Sequence, residues 1–295
     1  MTFTVKSFLK RFPDDDACLD AIMQARMGGE RMSCPGCGAD AKFYRVTGRR
    51  AYACQWCGHH YYPGVGTPFE DSRTSLVSWF YAMYLFTTTR HGVPAKELQR
   101  QLGVTYKCAW RMGHQLRNLM AGDGPNMLSG HVEVDETYVG GKKHGGKRGR
   151  GAPGKTILVG MVERDGNAKI VKAPNVRKVT LRAIVNENVE KGSTVSTDEL
   201  ASYNLLSGDG YIHGRVNHGA KQYVSGDVHV NTMEGFWSHL KLSIRGTHIH
   251  VSGKYLPKYS AEFAYRHNHR HEPHVMFDRL FDALSTPGQT VPKGA

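Results

Sequence analysis

Four cysteines constrain this chain more than any other feature. Cys34-Pro-Gly-Cys37 and Cys54-Gln-Trp-Cys57 give the spacing C-x2-C-x16-C-x2-C. Each pair sits on a tight turn, with Gly36 and Gly38 at the first and Gly58 just after the second. Two thiolates on such a turn converge on one side, and two turns complete a tetrahedral site for Zn2+. In a reducing compartment, disulfides are the poorer reading of the same spacing. Four thiolates leave no open coordination position, so this zinc is expected to be structural. The FYRV and YAC segments between the pairs alternate like short strands. Together with an amphipathic helix around Cys18, Leu19, Ile22 and Met23, begun by the acidic run Asp14–Asp16, they make residues 1–62 a first domain. Cys18 and Cys108 stand alone and read as small buried hydrophobes.

The 295 residues carry 39 Lys+Arg against 26 Asp+Glu, a formal charge of +13 and a pI near 9.5. Such an excess favours a polyanionic partner, because each cation that neutralises a phosphate releases a counterion. The longest strongly apolar run, Leu76 to Phe86, falls well short of the roughly 20 residues that span a bilayer. The first residues, MTFTVKSFLKRFPDDD, hold no apolar segment of signal-peptide length. A cytoplasmic protein with no membrane partner is expected.

Residues 68–122 are helical in pattern and rich in basic residues. Ala95–Leu102, the turn Gly103-Val104 and Thr105–Leu119 resemble a helix-turn-helix, with Leu98, Leu102, Val104, Ala109 and Leu116 as its apolar seam. Thr105, Tyr106, Lys107 and Arg111 would then project from the start of the second helix, where a recognition helix meets base edges. A plain helical hairpin fits the same pattern.

Residues 149–156 match G-x4-G-K-[ST] letter for letter. That loop cradles phosphates only between a strand and a helix. Here Gly/Lys-rich sequence precedes it and the β-like Ile157-Leu-Val-Gly-Met-Val follows, so the match is rejected. The loop still carries Lys142, Lys143, Lys147, Arg148, Arg150 and Lys155, a cationic set suited to a DNA backbone. A solvated linker is the plainer reading.

From about residue 130 the pattern runs strand, strand, strand, helix, strand, which suits a mixed α/β sheet with flanking helices. This domain is expected over 128–283, before a polar tail at 284–295. His131-Val-Glu-Val-Asp135 alternates and places Asp135 at a sheet rim. Ser196-Thr-Asp198 repeats the arrangement, and Glu234 lies on a helical segment, sharing a face with Ser238 and Lys241. Three such carboxylates can hold two hard divalent cations, Mg2+ or Mn2+, which serve phosphoryl transfer. Glu133, Glu136 and Glu199 are read as neighbours, not ligands.

With FPDDDACLDAIMQARMGGERMSCPGCG, VDETYVGGK and VNTMEGFWSHLKLSIRGTHIHVSGKYLPKYSAEFAYRHNHR in view, the chain resembles the zinc-ribbon insertion-sequence transposases of bacteria. The resemblance implies an RNase-H-like catalytic domain with a DDE triad. It implies metal-binding Asp135, Asp198 and Glu234, and a DNA-contacting Lys241. DNA, as element ends and target, is the expected partner, engaged by a homo-oligomer. A nuclease that only hydrolyses, and a zinc-ribbon/helix-turn-helix regulator with an inactive RNase-H-like domain, stay open as other readings.

Overall fold

The computed structural model describes residues 3–140, 154–216 and 228–284. They divide into two compact units, Met1–Asp123 with Glu272–Ala295, and Gly124–His271.

The first unit opens with helices α1 (Val5–Arg11) and α2 (Asp15–Met27). The Asp14 side chain accepts from Ala17 N at 2.8 Å, capping α2, and Gly28 ends it in a left-handed conformation. A four-stranded antiparallel ribbon follows: β1 (Arg31–Ser33), β2 (Asp40–Arg45), β3 (Tyr52–Cys54) and β4 (His60–Tyr61), in that spatial order. Next come α3 (Leu76–Thr88), α4 (Ala95–Leu102) and α5 (Tyr106–Gly122). The two expected helices are α4 and α5, joined at a left-handed Gly103, with Thr105 capping α5 by accepting from Cys108 N. Ala109 and Leu116 lie in the core with Leu98, while Leu102 and Val104 are only half-buried. Cys18 is buried as expected, but Cys108 is half-buried, its sulfur 3.2 Å from Thr74 Oγ1.

The run Leu76 to Phe86 is core, with Trp79, Phe80, Met83 and Phe86 wholly buried. One partner of that core comes from the far end of the sequence. Helix α9 (Met276–Asp282) places the Phe281 ring 5.3 Å from Phe80 and the Phe277 ring 5.6 Å from Phe12. The second domain therefore stops at His271, not at 283, because aromatic packing draws the last helix into the first unit.

The second unit is a five-stranded mixed sheet. Its strands are β5 (His131–Val139), β6 (Thr156–Glu163), β7 (Ala168–Ala173), β8 (Thr194–Thr197) and β9 (Ile212–Arg215), ordered β7-β6-β5-β8-β9. β5, β6 and β7 pair antiparallel, whereas β8 runs parallel to β5 and β9 parallel to β8. Thr156 opens a strand, which is the physical reason the phosphate-loop match fails.

Both faces of the sheet are covered. Val132, Val134, Val159, Met161 and Val195 pack on α6 (Lys178–Asn188) through Leu181 and Val185. On the other face Leu158 and Val162 meet Met233, Phe236, Trp237 and Leu240 of α7 (Asn231–Ser243), and Leu256 of α8 (Leu256–Asn268). α7 lies so close that a Cβ at Gly160 would fall 2.4 Å from Met233 Cε and 2.6 Å from Trp237 Cζ2. Gly160 is the register partner of Asp135, so this absent side chain sets how near α7 comes to the acidic middle of β5.

Candidate active site

β5 is the central strand and carries three acids with different fates. Alternation sends Glu133 and Asp135 toward the α7 face and Glu136 toward the α6 face. The parallel pairing Val134↔Thr197 ends β8 beside the middle of β5, so Asp198 arrives next to Asp135, which lies mid-strand and not at the expected rim because β5 runs on to Val139 against β6. One carboxylate oxygen from each of Asp135, Glu136 and Asp198 lies within 4.8 Å of the others. Glu136 and Asp198 are buried and Asp135 is half-buried. Asp198 Oδ1 accepts from Leu200 N at 2.9 Å, which fixes its turn. Beneath the cluster Tyr203 is wholly buried and donates to Glu136 Oε2 at 3.2 Å. Burial first, and then the charges of Glu136, Asp135 and Asp198, hold its phenol protonated well above the ordinary range. Three converging oxygen donors with so much mutual repulsion fit a hard divalent cation, which takes carboxylate ligands and offsets that repulsion.

Glu136, read from sequence as a mere neighbour, thus belongs to the cluster. The missed signal lies in its burial: β5 is covered on both faces, so a side chain of either parity can be drawn in where β8 stops beside it. Glu234 lies in the first turn of α7, exposed, and is not among the three clustered acids. Lys241, two turns on, is half-buried. Burial holds its ammonium below the ordinary range; the Asp135 carboxylate opposes this, and Arg245 and Lys155 add to it.

Glu133 is no solvent-facing neighbour either. It is fully buried, and accepts from Arg164 Nε, Thr232 Oγ1 and Met233 N, each at 3.0 Å. His229 Nδ1 lies 3.0 Å from the same carboxylate. α7 has no side-chain cap of its own, so Glu133 caps it from the sheet, a favourable place for an anion.

In the first unit the four cysteines meet as expected. Their sulfurs lie within 4.8 Å of one another, with Cys34 and Cys57 3.6 Å apart and Cys37 and Cys54 4.0 Å apart. A tetrahedron of Zn–S bonds of about 2.3 Å has edges of about 3.8 Å, so the thiols fit zinc. Gly36 N donates to Cys34 Sγ and Trp56 N to Cys54 Sγ, which stabilises thiolates at both turns. Lys107 and Arg111 are exposed on α5, the Arg111 guanidinium 5.6 Å from the Trp79 ring centroid. Lys142, Lys143, Lys147 and Arg148 lie outside the described residues, while Lys155 is half-buried near Lys241.

Residues 127–268 match the ISXO2-like transposase domain, and residues 13–60 match the transposase zinc-ribbon domain. A protein of Halobacterium salinarum described as an uncharacterized protein in transposable element ISH50 is 30% identical over 280 residues, covering 88% of this chain and 92% of the relative. The chain belongs to the ISXO2-like transposases. An uncharacterized transposase-like protein of Haemophilus influenzae is 35% identical over 71 residues, 24% of this transposase and 57% of that protein. No solved structure matches it. The ribbon and the mixed sheet are the zinc-ribbon and RNase-H-like parts that the sequence resemblance implied. Among the described residues no helix is long and apolar enough to cross a membrane.

Proposed function

We propose that this transposase cuts DNA at the ends of its element and joins them to a target, with Mg2+ or Mn2+ held by Asp135, Asp198 and Glu234. The observation that carries the reading is the convergence of Asp135 and Asp198 from neighbouring parallel strands. Such ions, when bound, activate the attacking oxygen and stabilise the leaving one. The protein's own part is placement. Tyr203 holds Glu136 from below, so the floor of the cluster is fixed while its open side faces solvent through half-buried Asp135. Glu133 anchors the start of α7, which presents Glu234 and Lys241 on one face. Lys241 meets a DNA phosphate beside Asp135. Lys107 and Arg111 of α5, with Lys142, Lys143, Lys147 and Arg148 of the basic loop, supply further backbone contacts. The zinc of Cys34, Cys37, Cys54 and Cys57 keeps the ribbon folded. The protein acts as a homo-oligomer on DNA.

The test is a terminal duplex incubated with target plasmid and Mg2+. Joined products distinguish a transposase from an enzyme that only hydrolyses. Glu234→Gln and Glu136→Gln are run side by side. Loss of both steps in Glu234→Gln supports the assignment; full activity there, with loss only in Glu136→Gln, moves the third ligand to β5.

A further inference from the structure

Between β5 and the end of α7 lies a cavity of about 350 Å3, lined among others by Tyr138, Lys155, Lys241, Arg245, Ile249 and His250. Its volume lies at the lower end of the roughly 300–1,000 Å3 typical of ligand sites. Arg245 and Lys155 both act electrostatically on Lys241 there, and the carboxylate that reaches Lys241 is Asp135 of the cluster. Like charges gathered at one wall are stabilised by an anion between them.

The rim of this cavity is strained. α7 runs into a π-helical segment, Ile244–His248, and the next residue, Ile249, has φ +63° and ψ −55°. His250 N donates to His248 O at 2.6 Å, closing a γ-turn of the rare form around Ile249. A β-branched residue is a poor choice for positive φ. The residue is 84% exposed, so little apolar burial offsets the strain. A large apolar group held out at a strained turn, above a cationic cavity, has the features of an inserting wedge.

We infer that Ile249 enters the base stack of the DNA strand being processed and that the cavity receives the nucleotide it unstacks. The phosphate of that nucleotide lies against Lys155, Lys241 and Arg245, and its base against Tyr138 and His250. This rests on the reading of DNA as the substrate, though not on the identity of the metal ligands. The geometry suits it: a wedge unstacks one step, and one nucleotide is what a cavity of this size admits.

The experiment uses terminal duplexes carrying 2-aminopurine at successive positions around the cleavage point, titrated with the full chain without divalent metal. Expected is a several-fold fluorescence rise at one position. Ile249→Ala should abolish that rise while anisotropy shows the duplex still bound, and Ile249→Phe should retain it. Ile249→Gly should melt higher than the unaltered protein, because glycine accepts the turn, yet lose the rise. Lys155→Ala with Arg245→Ala should flatten the salt dependence by about one unit of log–log slope per lost phosphate contact. No rise at any position, or a rise unchanged in Ile249→Ala, overturns the inference. Asp135→Asn should keep the rise. A protein that unstacks DNA but never cleaves it would therefore contradict the catalytic proposal alone, and one that cleaves without unstacking would contradict only this inference.

Discussion

At the scale of single residues, the acids of β5 show how far chemistry depends on which way a side chain turns. Glu133 and Asp135 share a face two residues apart, yet one caps a helix and the other opens toward solvent. Removing Glu133 would leave Arg164 and the first turn of α7 without their shared acceptor. Glu133→Ala should therefore destabilise the second unit by about 3–5 kcal/mol, the usual cost of breaking a buried ion pair. Urea denaturation followed on an intrinsic tryptophan signal checks this, and a loss under about 1 kcal/mol would mean that Glu133 is not the anchor described. Asp135 and Asp198 were legible in the sequence as acids of two β-patterned segments, although only Asp198 follows a strand end and Asp135 lies in the middle of β5. Glu133 and Glu136 were not: a local pattern gives parity, but not which faces a later helix will cover.

At the scale of elements, α7 is placed by contacts at both ends of its first turns: the Glu133 cap and the close approach over Gly160. Gly160→Val would drive methyl groups into Met233 and Trp237 and push the helix off the sheet. The expected result is a fall in cleavage with the Asp135 and Asp198 carboxylates intact, together with a loss of about 1–3 kcal/mol of stability. Unaltered cleavage would separate the placement of α7 from catalysis. The ribbon is expected to behave differently, because its four thiols fit a zinc ion that would hold it folded. Elemental analysis should find about one zinc per chain, and Cys34→Ser or Cys57→Ser should lower that content and unfold the ribbon. Folded protein without zinc would contradict the site. The ribbon was readable because its ligands are close in sequence. The two-residue β4 and the four-residue β9 were not: β4 is too short to alternate, and β9, IHGR, carries a single strongly apolar side chain.

For the whole molecule, the notable departure from the sequence pattern is α9. Its pairing with α3 depends on Phe80 meeting Phe281 from a distant part of the chain, which no local periodicity encodes. pH acts on the second unit through two histidines. Burial lowers His213 and His267 from 6.5 to about 4, with Arg215 and Arg270 acting in the same direction. Both are neutral in the folded state, so the unfolded chain binds more protons between about pH 4 and 6.5. Their contribution is complete above about pH 6.5 and is lost as pH falls toward 4. Melting temperature should drop between about pH 7.5 and about pH 5, and less so in His213→Asn/His267→Gln protein. Equal drops in both would place the acid sensitivity elsewhere.

The chemistry is proposed to belong to Asp135, at the middle of β5, and Asp198, just past the end of β8. The most direct measurement is Mg2+-dependent cleavage of an end-labelled terminal duplex by the unaltered protein, Asp135→Asn and Asp198→Asn, with duplex binding measured in parallel. Both variants are expected to bind the duplex as the unaltered protein does and to lose detectable cleavage. Cleavage by either variant at the unaltered rate would contradict that assignment.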